Sequence, residues 1–345
     1  MFQKSWFEQL VGFRERDAAT VYEQLHCEDG LLKSAAKGQS WKHGKLEVLS
    51  LGELRSRLKA KADENTLRGS SALTAGELVA DVQQLHLDPS NAGAFFQVAS
   101  QFNLLEMVSP DVRPEAGVSI YERDRTQGPA CAIACGAGTI YRNYFVEVKG
   151  KLGQTKDRQI NCLEEFGRAI GNEDGRLWTM QNGYALPTRN GLPEINETLS
   201  SASESQLDEL RSKLKIGLMW DTQVTLGGCN HHVTQAYCSA LPVGYCNESP
   251  RDFEPFARLV LEAAYESTLI AAVLNASSTD NRKVFLTQLG GGVFCNETSW
   301  IHDAIVRACR VLREEELSIQ VVSFGRSNSQ VQELVRRINF GEDVG

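Results

Sequence analysis

The chain has 345 residues, 42% of them hydrophobic, and its 44 acids against 36 bases give a formal net charge of -8. That length permits one large core or two smaller ones, and the acidic balance argues against long nucleic acid as a partner, because phosphate-tracking surfaces carry a basic surplus. No stretch approaches the roughly 18 uncharged apolar residues of a membrane span, and MFQKSWFEQLVGFRERD at the N-terminus is charged throughout, unlike a signal core. Together these lead to the expectation of a soluble, cytoplasmic protein that binds no membrane. Nine cysteines in 345 residues are too dilute and too odd in number for a disulfide scaffold, and fit reduced thiols.

SWFEQLVGF and ATVYEQL space their apolar residues three and four apart, as helices do, and SLGELRSRL carries Ser50 as a cap with Glu53 three residues on. HGKLEVLSL between them reads as an edge strand. Residues 1–75 are thus expected to form a helical N-terminal extension packed on the core. Residues 76–345 are expected to be one α/β domain with an insertion around 150–215. GELVADVQQLHLD is a short helix or a strand entry. GAFFQVASQFNLLEM is apolar, aromatic and β-branched, as a buried strand is.

PACAIACGAGTIYRNYFVEV begins with very small residues and turns into a second predicted strand at YFVEV. RQINCLEEFGRAI is helical, LWTMQNGYAL a strand, and SESQLDELRSKLK an amphipathic helix capped by Ser203 or Ser205. IGLMWDTQVTL and HHVTQAYCSALPVGY are long strands. The last third alternates a long apolar helix, the strand KVFLTQLGGG, the helix SWIHDAIVRACRVLREEE, the strand SIQVVSFG and a final helix. That alternation predicts an α/β layer fold with parallel pairing.

Three consecutive glycines, Gly290, Gly291 and Gly292, end the strand KVFLTQL just before a helix. Ligands of open α/β sheets sit beyond the carboxyl ends of strands, and glycines there let backbone N–H groups approach a phosphate. The spacing is neither a Walker loop nor G-x-G-x-x-G.

VFLTQLGGGVFCN, from Val284 to Asn296, resembles the second phosphate-binding loop of the macrodomain and poly(ADP-ribose) glycohydrolase-like superfamily. FFQVASQFNLLEM resembles its early strand ending in Asn, and PEAGVSIY its glycine-containing first loop. The resemblance implies a three-layer fold, a mixed sheet flanked by helices, and binding of ADP-ribose or a related nucleotide diphosphate sugar. Hydrolysis of an ADP-ribosyl linkage and docking of an ADP-ribosylated protein are the further expectations. It implies that the amides of Gly290, Gly291, Gly292, Val293 and Phe294 hold the pyrophosphate, and that Asn296 also binds the ligand. Gly117 and Val118 would form the first loop, and Asn103 would meet the distal ribose. The paired glutamates of the glycohydrolase branch are missing from YERDRTQGP, which leaves Glu122 or Asp124 as general base. Thr126, Gln127, Arg142 and Asn143 flank the small-residue segment, and Arg142 could balance a ligand phosphate.

The alternatives are a non-catalytic ADP-ribose reader and a hydrolase using Cys135, Cys238 or Cys295, of which Cys295 lies nearest a helix N-terminus. Cys229, His231, His232 and Cys238 match no familiar zinc spacing, and the two histidines point opposite ways on a strand. No metal or cofactor is expected.

Overall fold

Phe95–Ala99 (FFQVA) and Lys283–Leu286 (KVFL) are apolar without alternation, as strands covered on both faces are, and a computed structural model pairs them in the middle of a seven-stranded sheet. The structure describes residues 4–64 and 72–341. Along the chain its strands are β1 (Leu25–Glu28), β2 (Leu31–Ser34), β3 (Gln39–Lys42), β4 (Lys45–Ser50), β5 (Thr74–Val79), β6 (Phe95–Ala99) and β7 (Glu147–Val148). After these come β8 (Lys151–Leu152), β9 (Trp178–Gln181), β10 (Tyr184–Pro187), β11 (Lys215–Gln223), β12 (His232–Cys238), β13 (Lys283–Leu286) and β14 (Ser318–Ser323).

The large sheet runs β4-β11-β12-β6-β13-β14-β5. β12, β6, β13, β14 and β5 are parallel, and β11 is antiparallel to both β12 and β4. Helices cover both faces, giving the expected three layers. Pro250–Thr279 lies on one face, packed on Leu51–Glu64 and Thr298–Val311; Val82–Leu87, Gln127–Ala134 and Gly136–Ile140 lie on the other. The carboxyl ends of β6, β12 and β13 therefore share one edge, where loops of a parallel sheet gather a ligand site.

Four expectations change. Pro250–Thr279 is long and apolar enough to span a bilayer by composition, against the reading that no segment approaches this, but 83% of its most apolar window is buried. Its apolar surface serves the core. Second, residues 1–75 are not simply a helical extension: β1–β3 form a separate antiparallel sheet, β4 is one edge of the main sheet and β5, starting at Thr74, is the other. The missed signal is Asp29-Gly30, both in the left-handed region (φ 51° and 77°), the turn that joins two-residue hairpins.

Third, YFVEV is not a strand. Tyr141–Phe145 is a π-helical turn, and only Glu147–Val148 pairs. The small residues before it allow close packing: a Cβ on Gly128 would run into the Ala99 carbonyl oxygen, and one on Gly138 would sit 2.8 Å from Thr222 Oγ1.

Other readings hold in detail. Ser50 and Glu53 cap each other reciprocally, as Ser203 and Gln206 do. LWTMQNGYAL, by contrast, is not the single expected strand: it breaks at Asn182-Gly183, both at positive φ, into the β9–β10 hairpin.

Candidate active site

β13 runs beside β6 only as far as Phe285 opposite Phe96, and then the two strands part. The backbone groups this separation exposes are satisfied by side chains. Gln127 Oε1 accepts from Ala99 N at 2.9 Å and its Nε2 donates to Gln97 O at 2.7 Å, while Thr287 N donates to Gln97 Oε1. Beyond the split lies a cavity of about 170 Å³. It is lined by the turn after β6 (Ser100, Gln101, Glu106, Met107), by Asp124, Thr126 and Gln127, by Ala240 after β12, and by Thr287–Gly290 and Gly292–Phe294 after β13.

The glycine loop, which borders this space, has unspent backbone donors. Among the described residues, the amides of Gly290, Gly292, Val293 and Phe294 donate to no protein acceptor, whereas Gly291 N is taken by Gln288 O at 3.0 Å. Gly290 is at φ 78°, and Gly292 has open space where a side chain would go. Asn296 fixes the loop from behind: its amide donates to Gly290 O, and its Nδ2 to Leu241 O at 2.8 Å. Backbone amides without a protein acceptor at a strand end can take an anion or water.

An aromatic cluster borders the same cavity. Tyr184, Tyr245 and Phe294 meet pairwise with ring centres 5.2–5.6 Å apart. Tyr184 comes from the β9–β10 hairpin, so the insertion around 150–215 contributes to the site, and its hydroxyl donates to Met107 O at 2.6 Å.

The group that sequence reasoning missed is Glu106. It is among the residues that border the cavity, and its side chain is only 1% exposed. Burial raises its carboxyl to about 7, against the opposing pull of the Arg142 guanidinium and the Tyr121 hydroxyl. Arg142 Nη2 stands 3.3 Å from Glu106 Oε1, its Nε donates to Leu104 O, and the guanidinium lies 3.5 Å over the Tyr237 ring. Glu106 is the sole charged residue between Gly93 and Pro110. A lone acid in an apolar run needs a buried partner; that was the available signal.

The sequence-predicted residues divide. Asp124, Thr126, Gln127, Gly290, Gly292, Val293 and Phe294 border the cavity. Gln127 spends its amide on β6, and Asp124 Oδ1 accepts from Thr126 N. The others are engaged within the chain. Asn103 is fully buried: its Oδ1 caps Leu105 N and its Nδ2 meets Gln159, because the β9–β10 turn packs on it. The first loop, at Gly117 and Val118, already holds a carboxylate. Glu15 accepts from Val118 N at 2.9 Å, Ser119 N at 2.6 Å and the Tyr144 hydroxyl at 2.8 Å.

Glu122 Oε2 accepts from Trp6 N and lies off the cavity. Arg142 balances Glu106 rather than a ligand phosphate. Asn143 is buried, donating to Pro114 O. Gly291 and Asn296 shape the loop without lining it.

Burial raises the Cys135 thiol and pushes Cys238 up to about 12, which removes the thiolate a nucleophile needs. Cys295 is exposed, with its sulfur beside Val293 O, and does not line the cavity. His231 meets His86 O and His232 meets Asp221, so the CNHH segment does not converge on one point.

The chain is similar in layout to solved poly(ADP-ribose) glycohydrolases. The Deinococcus radiodurans enzyme in complex with ADP-ribose is 13% identical, with 86% of this chain and 94% of that one covered at a TM-score of 0.42. The Thermomonospora curvata enzyme is 12% identical, covering 93% and 97% at 0.44. Its structure bound to the inhibitor ADP-HPD is 12% identical, covering 92% and 96% at 0.43. Likeness at this level is one of layout, and the chemistry rests on this chain's own residues. No family model matches the chain, and no curated protein matches it.

Proposed function

We propose that this cavity binds ADP-ribose or a related nucleotide diphosphate sugar, free or attached to a protein, and that the protein hydrolyses an ADP-ribosyl linkage there. The observation that carries the reading is that Gly290, Gly292, Val293 and Phe294, whose amides have no protein acceptor among the described residues, border one cavity with the rings of Tyr184, Tyr245 and Phe294 at the carboxyl ends of the central strands. The amides suit a pyrophosphate, the rings suit the flat faces of a base or sugar, and the small cavity volume suits one sugar ring in its depth with the remainder along the loop. The sequence resemblance of Val284–Asn296 supports the same ligand. The nine free thiols accord with a cytoplasmic location.

Calorimetric titration with ADP-ribose, ADP and NAD tests the reading. The native protein is expected to bind ADP-ribose saturably. Gly292→Glu, whose side chain has open space, is expected to weaken binding at least tenfold with an unchanged melting curve, because it sets a carboxylate beside the phosphates. Absence of binding to all three ligands would sink the proposal. A reader without catalysis would bind ADP-ribose and release none from poly(ADP-ribose).

A further inference from the structure

A second cleft, of about 600 Å³, opens at the other edge of the sheet. Gln223, which borders it, pairs with His232 at the amino end of β12, whereas the first cavity lies beyond the carboxyl ends. Segments distant in sequence meet there: the helix Trp6–Val11, β3 with the turn before it, Ile133 of the helix Gln127–Ala134, and the loop after β11. Its size is that of ordinary small-molecule sites, roughly 300–1,000 Å³.

We propose that this cleft binds a small organic monocarboxylate, with the carboxylate on Lys37 and Trp41 and the apolar body on Leu10, Ile133 and Leu226. Lys37 is the only charged residue among the described ones that border the cleft. Its Nζ donates to Gln9 O at 2.7 Å and Leu10 O at 2.9 Å, near the carboxyl end of the helix Trp6–Val11. An ammonium has three donors, so one is left over.

Trp41 supplies the second donor. It is only 9% exposed, and its indole N–H meets no acceptor among the described residues, while that of Trp6 in the same cleft is spent on Val118 O. A tryptophan this buried ordinarily has its N–H paired. The Trp41 nitrogen is not one of the sealed polar atoms without a partner, so it has an outlet, and the cleft is the space that Trp41 borders. Lys37 Nζ lies 5.8 Å from the centre of the Trp41 ring, close enough for the two oxygens of one carboxylate to meet both donors. A single cation matches a single negative charge. Leu10, Ile133 and Leu226 are half-buried and leave apolar surface in the cleft, which suits a ring or a short acyl chain.

The test uses benzoate as the probe and follows the five tryptophan indole signals of the full chain by nitrogen–proton correlation NMR. Benzoate is expected to shift the Trp41 signal saturably, with a Kd in the millimolar range or tighter. Benzamide, the same ring without the charge, should bind at least threefold more weakly. Lys37→Met, and Trp41→Phe, which keeps a ring and loses the donor, should each weaken benzoate at least threefold, read from the ligand's own signals. Melting curves show that each variant is folded, and the benzamide comparison tests the charge in the native protein without a variant. A Trp41 signal that benzoate leaves in place overturns the proposal. So does benzamide binding within threefold of benzoate, or a folded variant that binds benzoate within threefold of native. Displacement of benzoate by ADP-ribose overturns it too, by placing the probe in the other cavity. Failure of the native protein to bind ADP-ribose, by contrast, would sink the reading of that cavity and leave the cleft untouched.

Discussion

The two glycine-containing loops look alike in sequence and differ in what their amides hold. Around Gly117 the donors of Val118 and Ser119 are spent on Glu15, a carboxylate from the chain's own N-terminal region. Around Gly290–Gly292 four amides have no protein acceptor among the described residues. The first loop holds a carboxylate of the chain itself, and the second borders a cavity with its donors unspent. A glycine turn therefore identifies a seat, while the occupant is decided by tertiary packing. The same division runs through the neighbouring polar residues. Those near the first loop (Asn103, Glu122, Arg142, Asn143) are consumed by hydrogen bonds within the chain, and substitutions there should act on stability before they act on ligand.

Arg142 gives the sharpest version of this. Arg142→Met removes the cation beside a buried acid, together with its bond to Leu104 O. Breaking one side of a buried pair costs roughly 3–5 kcal/mol. Because Glu106 can relieve the loss by taking a proton, the cost is expected to be smaller at pH 5 than at pH 8. Urea unfolding at the two values measures it, and an equal cost at both would separate Arg142 from Glu106.

Glu106 itself makes a pH-dependent contribution whose sign follows from its raised value. Its folded value of about 7 exceeds the ordinary 4.5, so between those values the native state holds a proton that the unfolded chain has released. Stability from this group is fully present below about 4.5 and is lost as pH rises toward 7, to a limit of about 3 kcal/mol at 1.36 kcal/mol per unit. Glu106→Gln should flatten that part of the stability profile. A native profile that instead rises by a similar amount from pH 5 to pH 7, with the glutamine variant following it, would contradict the buried assignment.

Glu15→Gln tests the filled seat. It keeps an acceptor but loses the charge that three donors share, and should cost about 1–2 kcal/mol. ADP-ribose affinity should stay within twofold, since Gly117 and Val118 do not border the cavity. A large loss of affinity with little loss of stability would return the first loop to the ligand site.

Much of the fold was readable because it depends on local composition. The unalternating FFQVA and KVFL and the Ser50 and Ser203 caps each carry their own structural instruction, whereas the Asn182-Gly183 turn inside LWTMQNGYAL was read through as strand. The strand–helix alternation after residue 230 implied the parallel sheet and hence the edge where the cavity lies. What could not be read depends on distant pairing. Arg142 is 36 residues from Glu106, and Tyr144 is 129 from Glu15. Tyr184 reaches the site through a hairpin whose own sequence shows only a turn. Glu106 was visible as a lone acid in an apolar run, but its pairing with Arg142 was not.

The three glycines of the second loop, replaced one at a time by alanine, separate shape from access and give the smallest effects. At Gly290 the backbone is left-handed, and an added Cβ would sit 2.5 Å from Ala240 Cβ and 2.8 Å from Asn296 Nδ2. Strain and contact together should cost about 1–2 kcal/mol. At Gly291 φ is ordinary and the nearest atoms, Ile301 Cδ1 at 3.2 Å and Gln288 O at 3.3 Å, are tight but partly yielding, so less than about 1 kcal/mol is expected. At Gly292 nothing lies within 4 Å. Alanine there should leave stability unchanged or raise it by up to about 0.4 kcal/mol through the unfolded chain. Melting curves and ADP-ribose titrations of the three variants check the order. If the glycines serve only the turn, affinity will follow stability, with Gly290→Ala worst and Gly292→Ala native. If they serve an anion, Gly292→Ala will lose affinity while remaining as stable as the native protein, since its methyl group enters the space the ligand approaches through.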